Sequence, residues 1–162
     1  MLTIYIDADA CPVKDEVYRV ARRYAMLVAV VTRYAMRVPT DPLIRLVVEA
    51  NFGAVDDWIA ERAGPGDIVI TTDIPLAGRC LENSSQVLSP KGNPFTEDDI
   101  GEALGMRSLM ENLRQDGSVT GGPAPMAPKD RSRFLSKLDE MINAARRAHP
   151  PRPSEEGKAP ES

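Results

Sequence analysis

Leu2-Thr3-Ile4-Tyr5-Ile6-Asp7-Ala8-Asp9 and Ile68-Val69-Ile70-Thr71-Thr72-Asp73 are two short apolar runs, each ending on aspartate. Runs of this length and composition read as buried strands. Between them the pattern turns helical. Pro12 suits the first turn of a helix, and Val13, Val17, Val20, Ala21 and Tyr24 follow helical spacing. Leu27 to Val31 is continuously apolar, as in a strand covered on both faces. Pro39 and Pro42 lead into a helix expected over Leu43 to Asn51, closed by Gly53. A short helix then begins at Asp56-Asp57-Trp58 and stops at Gly64-Pro65-Gly66, before the strand Asp67 to Thr72. Pro75 starts the next helix, which runs to Glu82, and Val87-Leu88 forms a short strand before the turn Pro90 to Pro94. Helices are expected over Glu97 to Leu104, Ser108 to Gln115 and, after the loop Thr120 to Pro125, Lys129 to Arg146. Strands separated by helices imply an α/β fold with three α/β/α layers and a mostly parallel central sheet, because parallel crossovers need that length.

The chain of 162 residues suits one domain over residues 1–147. The Pro-rich, charged residues 148–162 cannot bury a core and are expected to be a disordered tail. No apolar run is long enough to cross a bilayer, and the N-terminus lacks the pattern of a signal peptide. Cys11 and Cys80 have no zinc-site spacing, so a reduced, cytoplasmic protein without membrane contact is expected. The net charge is −4, and the tail from Arg146 holds four basic and three acidic residues, so the body is the more acidic part. Bulk electrostatics therefore exclude a strongly basic nucleic-acid binder; a polyanion must meet a local basic patch or a metal-loaded site.

Ligands of open α/β sheets bind outside the carboxyl ends of the strands. Unpaired carboxylates gathered there repel one another, a cost that a divalent cation removes. On an extended backbone Asp7 and Asp9 face the same side and point into one crevice, where Mg²⁺ or Mn²⁺ would suit their hard oxygens; alternatively Asp9 caps the following helix. Asp73 precedes a helix and is either its cap or a ligand, and its strand is expected beside the first. Asp56 and Asp57 share a helix start, where one can cap and the other reach a metal, or both can simply favour the helix dipole. His149, the one histidine, sits in the tail, so any chemistry proceeds without imidazole. Arg107, Arg114, Lys129, Arg131 and Arg133 surround Thr120-Gly121-Gly122, whose N–H groups could meet a phosphate; an ordinary solvated helix face is the alternative. Cys11 reads as a small buried residue, and Trp58 and the methionines as core.

The segment Ala54-Val55-Asp56-Asp57-Trp58-Ile59-Ala60, followed by a Gly-Pro-Gly turn, a strand and Asp73, resembles the flap-endonuclease and PIN-like superfamily. More widely, Asp7-Ala8-Asp9-Ala10-Cys11-Pro12-Val13, Arg37-Val38-Pro39, Asp57-Trp58-Ile59, Thr72-Asp73-Ile74-Pro75-Leu76-Ala77, Thr120-Gly121-Gly122-Pro123, Asp130-Arg131 and Phe134 resemble the bacterial YaiI/YqxD family across residues 1 to about 145. That uncharacterised family is grouped with PIN-like domains, and the resemblance implies that architecture. Thr32-Arg33-Tyr34 departs from it, standing where a small polar turn, often with Asn, is expected.

Metal-dependent hydrolysis of phosphodiester bonds, those of RNA first, fits the acid cluster. Asp7, Asp57 and Asp73 would be ligands of Mg²⁺ or Mn²⁺. Asp9 or Asp56 would hold a second ion or orient the attacking water, and Thr120, Gly121, Gly122 and Arg131 would touch substrate. A haloacid-dehalogenase-type phosphatase, with Asp7 as nucleophile and Asp9 as acid, is the second enzyme reading. It needs a lysine in a later loop, and Lys91 is the only lysine between Lys14 and Lys129. A non-catalytic RNA- or protein-binding module of the same fold is the third.

Overall fold

The computed structural model describes residues 2–98, 100 and 126–149. Five parallel strands lie in the order β3-β2-β1-β4-β5. In chain order they are β1 (Thr3–Asp7), β2 (Leu27–Thr32), β3 (Ile44–Val48), β4 (Ile68–Ile70) and β5 (Gln86–Leu88). The helices are α1 (Lys14–Tyr24), α2 (Ala54–Arg62), α3 (Ile74–Glu82) and α4 (Pro128–Ala148). Glu97, Asp98 and Ile100 are also helical. The expected helix Ser108 to Gln115, the loop Thr120 to Pro125, Arg107, Arg114 and the tail beyond His149 lie outside the described residues.

Side chains alternate across a strand, and each strand here feeds two cores. Ile4, Ile6, Val28, Val30, Ile68, Ile70 and Leu88 pack with α1 and α4, against Val17, Phe134, Leu138 and Ile142. Tyr5, Ala29, Val31, Val69 and Val87 face the other way, onto Val55, Ile59, Leu76 and Ala77 of α2 and α3. The layers are therefore α/β/α, as expected. Each fully buried Ile or Leu contributes roughly 1.5–3 kcal/mol, so both faces are needed to hold so thin a sheet. Arg131 of α4 donates to the Pro12 carbonyl at 3.0 Å and to Glu16 at 3.2 Å, fastening α4 to the start of α1. Among the described residues no helix is long and apolar enough to cross a membrane.

Three expectations need correction. The helix expected over Leu43 to Asn51 is instead β3: Ile44, Val47 and Val48 are β-branched and bond in register to β2, from Val28↔Ile44 to Thr32↔Val48. The tertiary partner decides there, because the apolar spacing suits either structure. Val87-Leu88 consequently belongs to a fifth strand rather than a fourth. Finally, β1 stops at Asp7 and the chain tightens into a 3-10 turn over Ala8–Ala10, so Asp7 and Asp9 do not share a face.

The turn after β5 shows why glycine is required at residue 92. Gly92 has φ +87°, and a Cβ there would lie 2.7 Å from the Phe134 backbone nitrogen. Only a residue without a side chain lets this turn rest on α4.

Candidate active site at the β1/β4 crevice

Chain order runs outward from β1 through β2 to β3, and then on the other side through β4 to β5. The reversal falls between β1 and β4, which opens a crevice at their carboxyl ends where α/β proteins bind ligands. Asp7 ends β1, and Thr71, Thr72 and Asp73 follow β4. Asp7 continues the side-chain phase of Tyr5, toward the α2/α3 layer. Asp56 in the first turn of α2 and Asp73 at the N-cap of α3 belong to that same layer.

The hydroxyl of buried Thr71 donates to Asp7 Oδ2 at 2.8 Å and accepts the Asp73 N–H at 2.9 Å. Asp73 Oδ1 in turn accepts the Leu76 N–H at 2.8 Å, capping α3. One oxygen of each carboxylate, Asp7 Oδ1 and Asp73 Oδ2, keeps no hydrogen bond among the described residues. Asp73 is therefore a cap and still has an oxygen to offer.

Burial pushes the Asp7 carboxyl above its ordinary pKa; the Thr71 hydrogen bond opposes the shift, and the charges of Asp73 and Asp9 add to it. Asp56 is pushed up to about 6, by burial first and then by Asp73 and Asp7, with Arg79 acting the other way. It has no hydrogen bond or ion pair among the described residues. Asp7, Asp56 and Asp73 thus share one negative potential. Asp57, next in sequence, is exposed and bonds Arg79 at 2.8 Å. Of the two neighbouring acids, Asp56 joins the group and Asp57 turns to α3.

Asp9 does not cap α1, and although its charge acts on Asp7, its carboxylate is bonded elsewhere. Its carboxylate accepts the Thr32 hydroxyl at 2.6 Å and the Arg33 N–H at 3.0 Å, and so bridges the turn after β1 to the end of β2. Lys14 steadies that turn by donating to the carbonyls of Ala8 at 3.2 Å and Cys11 at 2.7 Å. Cys11 is buried, and burial raises its thiol to about 11, which removes thiolate chemistry near neutral pH. Trp58 is half-buried: it meets Tyr5 edge-on, with Arg62 4.1 Å and Arg45 5.3 Å from its ring centre. Arg131 is engaged with Pro12 and Glu16, while Thr120, Gly121 and Gly122 lie outside the described residues. His149 packs against Gly66 at the opposite, amino edge of the sheet.

The donor chemistry of the crevice suits a hard divalent cation: carboxylate oxygens, a surplus of negative charge and free oxygens on Asp7 and Asp73. Among the described residues no three acidic, histidine or cysteine side chains are gathered as a ready cage. Mg²⁺ does not require one, because it keeps several waters and is bound through one or two carboxylates. The group therefore fits by charge and by donor type. Sequence reasoning missed Thr71 and Thr32, the hydroxyls that hold Asp7 and Asp9; their places, Thr32 at the end of β2 and Thr71 directly after β4, are the available signal.

Comparison with known proteins gives a consistent picture. The sequence pattern described as "Uncharacterized BCR, YaiI/YqxD family" matches residues 5–144. A UPF0178 protein of Bradyrhizobium diazoefficiens is 57% identical over 145 residues, covering 89% of this chain and 87% of its own. UPF0178 proteins of Rhodopseudomonas palustris strain BisB18 (54% identical, 90% of this chain and 95% of theirs) and Nitrobacter winogradskyi (55%, 91% and 94%) are similar over the same extent. No solved structure gives a significant match.

Proposed function

The chain belongs to the YaiI/YqxD family of uncharacterised bacterial proteins, and from that premise we propose that it is a divalent-metal-dependent nuclease hydrolysing phosphodiester bonds of RNA. The observation that carries this reading is the gathering of Asp7, Asp56 and Asp73 at the sheet's switch point, where burial first, and then the charges of Asp73 and Asp7, lift Asp56 to about 6. Asp7 and Asp73 serve the fold with one oxygen each, through Thr71 and the α3 cap, and a Mg²⁺ or Mn²⁺ ion would stabilise their ionised forms through the other. Asp7 and Asp73, each with a free oxygen, would hold the ion. When bound, it supplies charge neutralisation at a phosphate and activation of water. Asp56 stands beside them without a partner and is suited to accept a proton from the attacking water on a carboxylate oxygen. RNA is named on the resemblance to PIN-like nucleases.

The phosphatase reading would set Asp7 and Asp9 on one substrate, whereas Asp9 is bonded to Thr32 and Arg33 at the end of β2. That arrangement favours the nuclease.

The test is cleavage of end-labelled single-stranded RNA, and of DNA of the same sequence, with Mn²⁺ present. Wild type and Asp57→Asn are expected to cut RNA, and Asp56→Asn to lose about a hundredfold or more of the rate, the usual worth of a positioned base. RNA left intact by the wild type would refute the reading, and cleavage unaffected by Asp56→Asn would remove Asp56 from it.

A further inference from the structure

Two loops leave the carboxyl edge of the sheet next to the acids, and each lifts an aromatic ring into solvent. The first follows β2. Thr32 and Arg33 hold Asp9, and the next residue, Tyr34, is 67% exposed. Its backbone is pinned, because its N–H donates to the Thr32 hydroxyl at 3.1 Å. The second loop joins β3 to α2. It carries Phe52, 94% exposed, directly before the Gly53 N-cap of the helix that bears Asp56. Val48, the last residue of β3, is the remaining large hydrophobic exposed among the described residues, and it belongs to the same edge.

Single exposed rings are common, but Tyr34, Val48 and Phe52 all follow or end β2 and β3 at one edge of the sheet, and apolar groups gathered at one place mark an interaction surface. Trp58 shows how the chain treats a ring it means to cover, with Arg45 and Arg62 laid over it. At Tyr34 a single guanidinium, that of Arg33, lies 5.6 Å from the ring centre. Arg33 and Arg37 are both exposed and have no ion pair among the described residues, although the body of the chain is acidic. Exposed flat rings on an edge that also carries the unpaired guanidinium groups of Arg33 and Arg37 match the faces of bases and the charge of phosphates.

We propose that Tyr34 and Phe52, with Arg33 and Arg37, form a platform on which the bases of a single-stranded nucleic acid stack, leading its backbone past Asp9 into the β1/β4 crevice. The proposal rests on the nuclease reading for the identity of the ligand and adds to it a strand state and a binding surface. Duplex bases are already stacked on one another and cannot lie on these rings, so the platform selects single strands.

The experiment is fluorescence anisotropy of a dye-labelled oligouridine of about twelve nucleotides, within the usual reach of a single-strand site, in EDTA so that nothing is cut. Wild type is expected to bind it and to bind a duplex of the same length more weakly. Tyr34→Ala/Phe52→Ala is expected to weaken single-strand binding at least about tenfold with an unchanged melting temperature, and Tyr34→Phe to retain it. No binding by wild type, equal affinity in the double variant, or a wild-type dimer in sedimentation that the double variant dissolves without loss of RNA affinity would each overturn the platform. The two readings separate in a parallel reaction with Mn²⁺. Ring-dependent binding without cleavage supports the platform against the nuclease; cleavage with ring-independent binding supports the nuclease against the platform.

Discussion

Thr71 and Asp7 are joined by a 2.8 Å hydrogen bond across the β4/β1 pair, and the same hydroxyl accepts the Asp73 N–H. One buried side chain thus sets the position of two of the three acids in the crevice. Thr71→Val keeps the shape and removes both bonds. It should cost roughly 1–3 kcal/mol in urea unfolding, since a buried donor and acceptor lose their partner. An unchanged midpoint would mean that water replaces the hydroxyl.

Asp56 gives the fold a pH dependence of definite sign. Its carboxyl rises from 3.8 to about 6 on folding, so the folded state holds the proton more tightly. This contribution favours folding below about pH 4 and is lost as the pH climbs through 6. Without metal, Asp56→Asn should therefore be more stable than wild type at pH 7.5, by about 1 kcal/mol after allowance for solvent screening of a half-exposed group. The difference should vanish at pH 4. Denaturant unfolding at the two pH values in EDTA measures it, and a variant less stable than wild type at pH 7.5 would contradict the assignment.

Asp57 provides the contrast. Its pair with Arg79 is exposed on both sides, so Asp57→Asn should change stability by no more than about 0.5 kcal/mol. It should also leave any Mn²⁺-induced rise in Tm intact. Loss of that rise would return Asp57 to the metal site.

Gly92→Ala tests the packing of the turn on α4 alone. Positive φ and a Cβ 2.7 Å from the Phe134 backbone should together cost roughly 2–4 kcal/mol by thermal or chemical unfolding. The metal response of the folded fraction should not change.

Asp7 and Asp73 are legible in the sequence because strand-end aspartates keep their place whatever the packing, and so is the α/β alternation that puts β4 beside β1. The choice between Asp56 and Asp57 is not legible. Neighbours at a helix start point about 100° apart, and only Arg79 on another helix decides which turns outward. Asp9 defeats the two-residue rule because the chain leaves the strand at Asp7 for a 3-10 turn. Ile44 to Val48 reads as helix by spacing and becomes strand through its register with β2.

The acids at the β1/β4 switch point are expected to hold a divalent cation, and isothermal titration of Mn²⁺ into metal-free protein at pH 7.5 measures that binding. Saturable uptake by wild type and Asp57→Asn, abolished in Asp7→Asn and Asp73→Asn, is the predicted result. No uptake by wild type, or uptake that survives both Asp7→Asn and Asp73→Asn, would contradict it.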